Sequence, residues 1–309
     1  MGVTIGIDVG GTKVAGARVS PEGKVEGRLE VPTPDDPARF AEVPGQLVEH
    51  LLSPEVKAIG MGVAGLVAWP EGRLVWGPNV SGRDVPYRRL LERAFGLPVA
   101  VENDANVAGL GEAWLGAGRD YRHVLMVTVG TGIGGGMVVD DTLYRGRSFA
   151  GEIGHMVVAP EGPPCGCGRL GCWEQLASGT ALTRMAREAA AADPRGSIAR
   201  LAGNGRPEGE HVTQAAQAGD EAALHLVDRL AGWLGMGLAN LIAVLDPEVI
   251  VVGGGLGEVG ELLLEPVRSA TRLALSGAAY RSETPIVPAL LSDQAGIIGA
   301  SLLARELIR

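Results

Sequence analysis

Hydrophobic and polar positions follow two periods along this chain, a strand period and a helix period, and they alternate with each other. Residues 3–9 set apolar and small side chains in a strand pattern, break at Gly10-Gly11 and resume from Val14 to Val19. This is a strand–turn–strand signature, and residues 23–31 add a third strand. The design restarts at residues 124–129 (Val-Leu-Met-Val-Thr-Val), breaks at Gly130-Thr131-Gly132, resumes from Gly134 through Val139 and continues to Leu143-Tyr144. Elsewhere the spacing predicts helices within 37–52, where Pro44 weakens the pattern, at 86–95, 104–116, near 179–192 and 212–218, over 220–245 and 258–275, and last at 294–308. Further strands are predicted at 56–63, 98–102 and 248–252. Strands alternating with helices specify an α/β fold, and two halves that each open on a hairpin with a Gly/Thr-rich turn predict two lobes around a central cleft.

Composition narrows the class. The chain has 309 residues, 46% hydrophobic and 20% charged, which describes a soluble globular protein long enough for two domains. Its 48 glycines exceed the usual share, with no collagen-like period, so they mark turns and close approaches. A net charge of −9 lacks the basic field that nucleic-acid binding needs, so no nucleic acid is expected as a partner. Lysine stands only at Lys13, Lys24 and Lys57, with arginine supplying the other basic residues, and Asn and Gln are scarce. The opening run Met1-Gly2-Val3-Thr4-Ile5 has neither the basic start nor the apolar core of a signal peptide, so a cytoplasmic location is expected. Leu230–Leu245 is the most apolar stretch, but at 16 residues with Asn240 and three glycines it is short for a membrane span, and we expect a buried helix and no membrane association.

Three glycine-rich turns carry candidate phosphate chemistry. Asp8-Val9-Gly10-Gly11-Thr12-Lys13 lies on the first hairpin turn, where glycines let backbone N–H groups approach an anion and Asp8 suits a hydrated Mg²⁺. Gly-Gly-Thr serves an ordinary hairpin as well, but Gly130-Thr131-Gly132-Ile133-Gly134 repeats the chemistry in the second half. Gly253-Gly254-Gly255 follows the strand Val249–Val252 and resembles a dinucleotide-binding turn only superficially, because it lacks the Gly-x-Gly-x-x-Gly spacing. A contact on the adenosine side is the better reading.

Cys165, Cys167 and Cys172, with His155 ten positions upstream, make a complete tetrahedral zinc set on a short glycine-rich loop. Four protein ligands close the site, so the zinc is expected to be structural. A Cys-x-Cys disulfide would be strained and out of place in the cytosol. Glu152 and Glu174 flank the loop, and a metal-bound imidazole leaves its second ring nitrogen as a donor for a neighbour. Glu102-Asn103-Asp104-Ala105-Asn106 lies where a strand ends and a helix begins, the edge at which α/β folds place ligands. Asp104 there is either a helix N-cap or a base.

Together these motifs resemble the ROK family of repressors, open reading frames and sugar kinases. The residues that carry the resemblance are Glu152-Ile153-Gly154-His155 followed by Cys165-x-Cys167-Gly168-x-x-Gly171-Cys172-x-Glu174, joined to Asp8–Lys13 and Glu102–Asn106, and it covers essentially the whole chain. The Glu-Asn-Asp-Ala-Asn run looks more like the family's glucokinases than its fructokinases or N-acetylmannosamine kinases. Where several members carry a tryptophan after the Asn79 position, this chain reads Ser81-Gly82-Arg83-Asp84.

The resemblance implies an actin-like (ribonuclease-H-like) ATPase fold, with a small lobe at 1–117, a large lobe at 118–293 carrying the zinc loop 155–172, and a C-terminal helix 294–309 packed back on the first lobe. It implies ATP-dependent phosphorylation of glucose at the 6-hydroxyl, with glucose, ATP and Mg²⁺ as partners and zinc as a structural ion. Asp104 would be the general base; Gly65, Asn79, Asn103, Glu152, His155 and Glu174 would join it in binding the sugar. Asp8, Gly10, Gly11, Thr12 and Lys13 would line one side of the ATP phosphates, Thr131, Gly132 and Gly134 the other, and Gly253, Gly254 and Gly255 the adenosine. Another hexose such as N-acetylglucosamine or mannose is the alternative substrate. A sugar-sensing regulator is disfavoured because only seven residues precede Asp8. A homodimer or homotetramer is expected.

Overall fold

The computed structural model describes residues 2–78 and 80–308. The chain forms two compact units, Met1–Met126 with Gly135–Gly151 and Leu290–Arg309, and Val127–Gly134 with Glu152–Ala289. The units are discontinuous in sequence. Gly135–Gly151 belongs with the first unit because it packs against the helix after residue 103: a Cβ at Gly136 would strike the Ala105 carbonyl.

In the first unit, β1 (Val3–Val9), β2 (Lys13–Val19), β3 (Val25–Pro32), β4 (Val56–Val63) and, after the small hairpin β5 (Leu66–Ala68) and β6 (Arg73–Trp76), β7 (Val99–Asn103) build one sheet in the order β3-β2-β1-β4-β7. The hairpin β1–β2 is antiparallel, whereas β1–β4 and β4–β7 are parallel, with Asp8 opposite Gly62 and Gly62 opposite Glu102. Asp8 and Glu102 therefore stand on one row at the carboxyl ends of β1 and β7, with Gly62 of β4 between them. The second sheet repeats the plan with β8 (Val124–Val129), β9 (Ile133–Val139), β10 (Thr142–Leu143), β11 (Val249–Gly253) and β12 (Ile286–Pro288) in the order β10-β9-β8-β11-β12. A hairpin plus third strand on one side of the first strand, and two added strands on the other, is the α/β plan of the actin-like ATPase fold.

The helices are α1 (Pro37–Leu51), α2 (Tyr87–Phe95), α3 (Asp104–Leu115), α4 (Glu174–Ala177), α5 (Gly179–Ala192), α6 (Ser197–Ala202), α7 (Gly209–Gln217), α8 (Glu221–Leu245), α9 (Glu261–Ala274) and α10 (Ala295–Arg305). Pro44 does not break α1. Its missing N–H would orphan the Phe40 carbonyl four residues back, but the buried Tyr87 hydroxyl donates to that carbonyl at 3.1 Å. The α1 start is set by Asp36, which accepts from the Arg39 N–H at 2.9 Å, with Pro37 in the first turn.

The C-terminal helix α10 packs on β1, β4 and α3. It comes so near that a Cβ at Gly6 would strike the Ile297 carbonyl and one at Gly60 the Ala300 carbonyl. These glycines occupy strand interiors because a helix backbone lies where side chains would be.

In the second unit, α8 is longer than the apolar stretch suggests. By length and composition it passes as a membrane span, but 56% of that apolar window is buried inside the protein. Gly237 on α8 makes room for the fully buried Trp173, whose indole N–H donates to the Trp233 carbonyl at 2.8 Å. This seats the end of the cysteine loop on the core.

Candidate active site

In the first unit the candidate chemistry gathers at the carboxyl ends of β1 and β7. The sequence left open whether Asp104 caps α3; the structure gives that work to Asn103, whose Oδ1 accepts from the Asn106 N–H at 3.0 Å. Asp104 is thereby left in the first turn, with Oδ1 accepting from the Ala105 N–H at 2.9 Å. The Asn103 amide donates to the Gly65 carbonyl at 3.1 Å. Gly65 itself has φ +120, and a Cβ there would lie 2.6 Å from the Trp76 carbonyl, so the position admits only glycine. The Asn103 side chain also hydrogen-bonds Asp104, so one amide links the Gly65 backbone, the α3 cap and the carboxylate. Asn79 lies outside the described residues.

Two carboxyls face each other's field here. Burial raises the Asp104 pKa above the usual carboxylate value, against the hydrogen bonds that favour its ionised form. Asp8 is pushed up to about 7, first by burial and then by the Asp104 charge, with Lys13 and Arg28 pulling the other way. Two carboxyls so placed suit a divalent cation, which would remove the cost of ionising both. The adjoining turn is exposed at Gly11, Thr12 and Lys13. It is closed by Gly10 N–H to the Lys13 carbonyl at 2.9 Å and braced by the Thr33 hydroxyl on the Gly10 carbonyl at 2.7 Å.

In the second unit, the turn at 130–132 closes with Gly130 N–H on the Gly132 carbonyl at 3.0 Å and leaves Thr131 exposed. The Thr180 hydroxyl donates to the Thr131 carbonyl at 2.7 Å. Gly253–Gly255 comes to the same place: Gly254 has φ +80 and lies against Val129, and the Leu256 N–H donates to the Val129 carbonyl at 2.9 Å. The structure thus joins two of the turns that the sequence singled out.

His155, Cys165, Cys167 and Cys172 bring one ligand atom each to within 4.8 Å of one another. Cys165 Sγ lies 3.6 Å from His155 Nδ1, and Cys167 Sγ 3.6 Å from Cys172 Sγ. The edge of a tetrahedron with metal–sulfur bonds of about 2.3 Å is about 3.8 Å, so the four atoms fit one metal ion. The cysteines are free thiols. Glycine permits the loop: Gly171 has φ +64 and any Cβ there would strike the Ala159 carbonyl, while its N–H donates to the Pro163 carbonyl at 2.8 Å.

The two flanking glutamates face the same cluster. Glu174 Oε1 lies 3.0 Å from Cys165 Sγ and 3.7 Å from His155 Nδ1, and its Oε2 lies beside Gly132. Glu152 Oε2 is 3.9 Å from His155 Nε2. His155 therefore turns Nδ1 to the cysteines and Nε2 to Glu152.

The repeated sheet with a glycine-rich turn at the end of each first strand defines the actin-like class of ATPase fold. Within that class, residues 4–307 match the ROK family, and this chain belongs to it. A glucokinase of Streptomyces coelicolor (strain ATCC BAA-471 / A3(2) / M145) is 41% identical over 99% of this chain and 98% of its own length. The crystal structure of a ROK family glucokinase from Streptomyces griseus, in complex with glucose and AMPPNP, is 41% identical with a TM-score of 0.91, covering 99% of this chain and 100% of that one. A ROK hexokinase from Thermus thermophilus is 36% identical, with a TM-score of 0.81 and 99% of both chains covered.

Proposed function

We propose that this chain is an ATP-dependent glucokinase that transfers the γ-phosphoryl group to the 6-hydroxyl of glucose. The observation that carries the reading is Asp104: Asn103 relieves it of capping α3, and burial raises its pKa toward the range of a working base. Asp104 accepts the proton of the attacking hydroxyl and orients it in line with the phosphorus. Asn103, pinned to Gly65, holds the same hydroxyl, and Gly65 and Asn79 complete that edge of the sugar. Glu152, His155 and Glu174 receive the ring hydroxyls. Phosphoryl transfer of this kind depends mainly on positioning and charge stabilisation.

The turns at Asp8, Gly10, Gly11, Thr12, Lys13 and at Thr131, Gly132, Gly134 offer backbone N–H groups to the ATP phosphates, with Gly253–Gly255 toward the adenosine. Magnesium held through Asp8 would neutralise phosphate charge when bound. His155, Cys165, Cys167 and Cys172 would hold zinc as a structural ion, since four protein ligands leave no open position, and the loop then fixes Glu152, His155 and Glu174. The glucokinase names and the bound glucose and nucleotide analogue of the relatives support the substrate pair. We expect a cytoplasmic homodimer or homotetramer, with the subunit number measured by light scattering.

The test measures ATP-dependent phosphorylation of glucose, mannose, fructose, N-acetylglucosamine and N-acetylmannosamine, with zinc quantified on the same preparation. Glucose dominating at one zinc per chain supports the reading; a preference for an N-acetylated sugar, or no turnover of any sugar, refutes it. Asp104→Asn should retain glucose binding and lose most turnover, and near-normal turnover would remove Asp104 from the role of base.

A further inference from the structure

Glu102 is fully buried, and a carboxylate in that position is costly unless it is fully partnered. Three donors hold it. Oε1 accepts from the Asn103 N–H at 2.9 Å and from the Asn106 side-chain amide at 3.1 Å, and Oε2 accepts from Arg145 Nε at 2.6 Å. The first two donors bracket the turn that carries Asp104. Glu102 therefore grips this turn from both sides, while Asn103 ties it to Gly65.

Arg145 comes from the loop after β10, 43 residues away in sequence. Its guanidinium carbon stands 4.0 Å over the Trp69 ring. Ser148 of the same loop fastens to the Trp69 backbone, accepting from its N–H at 3.2 Å and donating to its carbonyl at 3.3 Å. The arginine is thus held by stacking and by its loop, and it cancels a charge that would otherwise lie two residues from Asp104.

We propose that Arg145 and Glu102 form a positioning pair that fixes the Asn103–Asn106 turn and so aims the Asp104 carboxylate. The inference rests on the reading of Asp104 as base. Neither member of the pair touches substrate; the pair acts through the turn. Loosening a base by a fraction of an ångström costs turnover and leaves ground-state sugar binding largely intact.

Arg145→Met, Arg145→Lys and the double variant E102Q/R145M are measured at 25 °C for kcat, glucose Kd by calorimetry and thermal midpoint. Arg145→Met should lower kcat about 100-fold with glucose Kd within about threefold of the parent, and Arg145→Lys should recover at least about tenfold of that loss. A folded Arg145→Met with kcat within about tenfold of the parent, or a loss confined to glucose Kd, overturns the proposal. If Arg145→Met does not fold, E102Q/R145M, which buries no unpaired charge, decides by the same two criteria. Asp104→Asn run alongside separates the claims: if it turns over normally the base reading fails, and if it is inactive while the Arg145 variants are normal only the positioning pair fails.

Discussion

Asp8→Asn should change how stability depends on pH in the first unit. In the folded chain the Asp8 pKa stands at about 7 against 3.8 for the ordinary side chain, raised by burial and then by Asp104. A raised carboxyl stabilises the fold while it holds its proton, and that contribution is lost as pH rises through the folded pKa. Between pH 5 and pH 7 the loss spans two pH units at about 1.36 kcal/mol each, so about 3 kcal/mol disappears by pH 8. Asp8 is only partly buried at the strand end, and water at its open side makes this an upper bound, with about 1–2 kcal/mol the expected value. The asparagine variant lacks the titration, so relative to the parent it gains that amount between pH 5 and pH 8. Hydrogen–deuterium exchange of peptides from β1 and β2, in the absence of nucleotide and magnesium, reports the first unit directly. A parent-to-variant difference equal at the two pH values, or one of opposite sign, would refute the argument. The same electrostatics predict that the variant's added stability is accompanied by weaker use of MgATP.

Two further outcomes follow from particular contacts. Cys167→Ala should bring zinc well below one per chain after dialysis and raise glucose KM about tenfold or more through Glu152, His155 and Glu174; full zinc content with unchanged kinetics would break that coupling. Tyr87→Phe should cost about 1–3 kcal/mol by leaving the buried Phe40 carbonyl unpaired. Pro44→Ala in the same chain should return part of it, because the introduced alanine supplies the missing N–H; strictly additive effects on urea midpoints would show that the two residues do not share that carbonyl.

Much of the site was legible because its chemistry is local in sequence. The spacing from His155 to Cys172 already contains a tetrahedron, and Gly-rich turns after buried strands announce backbone donors. The identity of the α3 cap was not legible, since Asn103 and Asp104 are both good caps; the strand running one residue further than expected, to Asn103, decided it. Glu102 carries no role of its own in the Glu102–Asn106 run as read from sequence, because the cation that pairs with it lies 43 residues away. Among the elements, β5, β6 and β12 are three or four residues long, too short for periodicity to register. Pro44 weakened the α1 pattern without ending the helix, and the hydroxyl that takes up the Phe40 carbonyl belongs to α2, out of reach of local periodicity.

The closeness of α10 to β1 and β4 also sets an order of assembly. Thr4 on β1 shares a 2.6 Å hydrogen bond with Ser301 on α10, 297 positions later, and Gly6 and Gly60 leave bare backbone where Ile297 and Ala300 must sit. Ribosomes deliver residues in sequence, so the sheet waits uncovered for a helix made far later, after the material for most of the second unit has emerged. The native covering of this sheet therefore has to wait until segments of the second unit have been made. Its nascent N-terminal sheet is the surface a chaperone would have to guard until α10 has emerged.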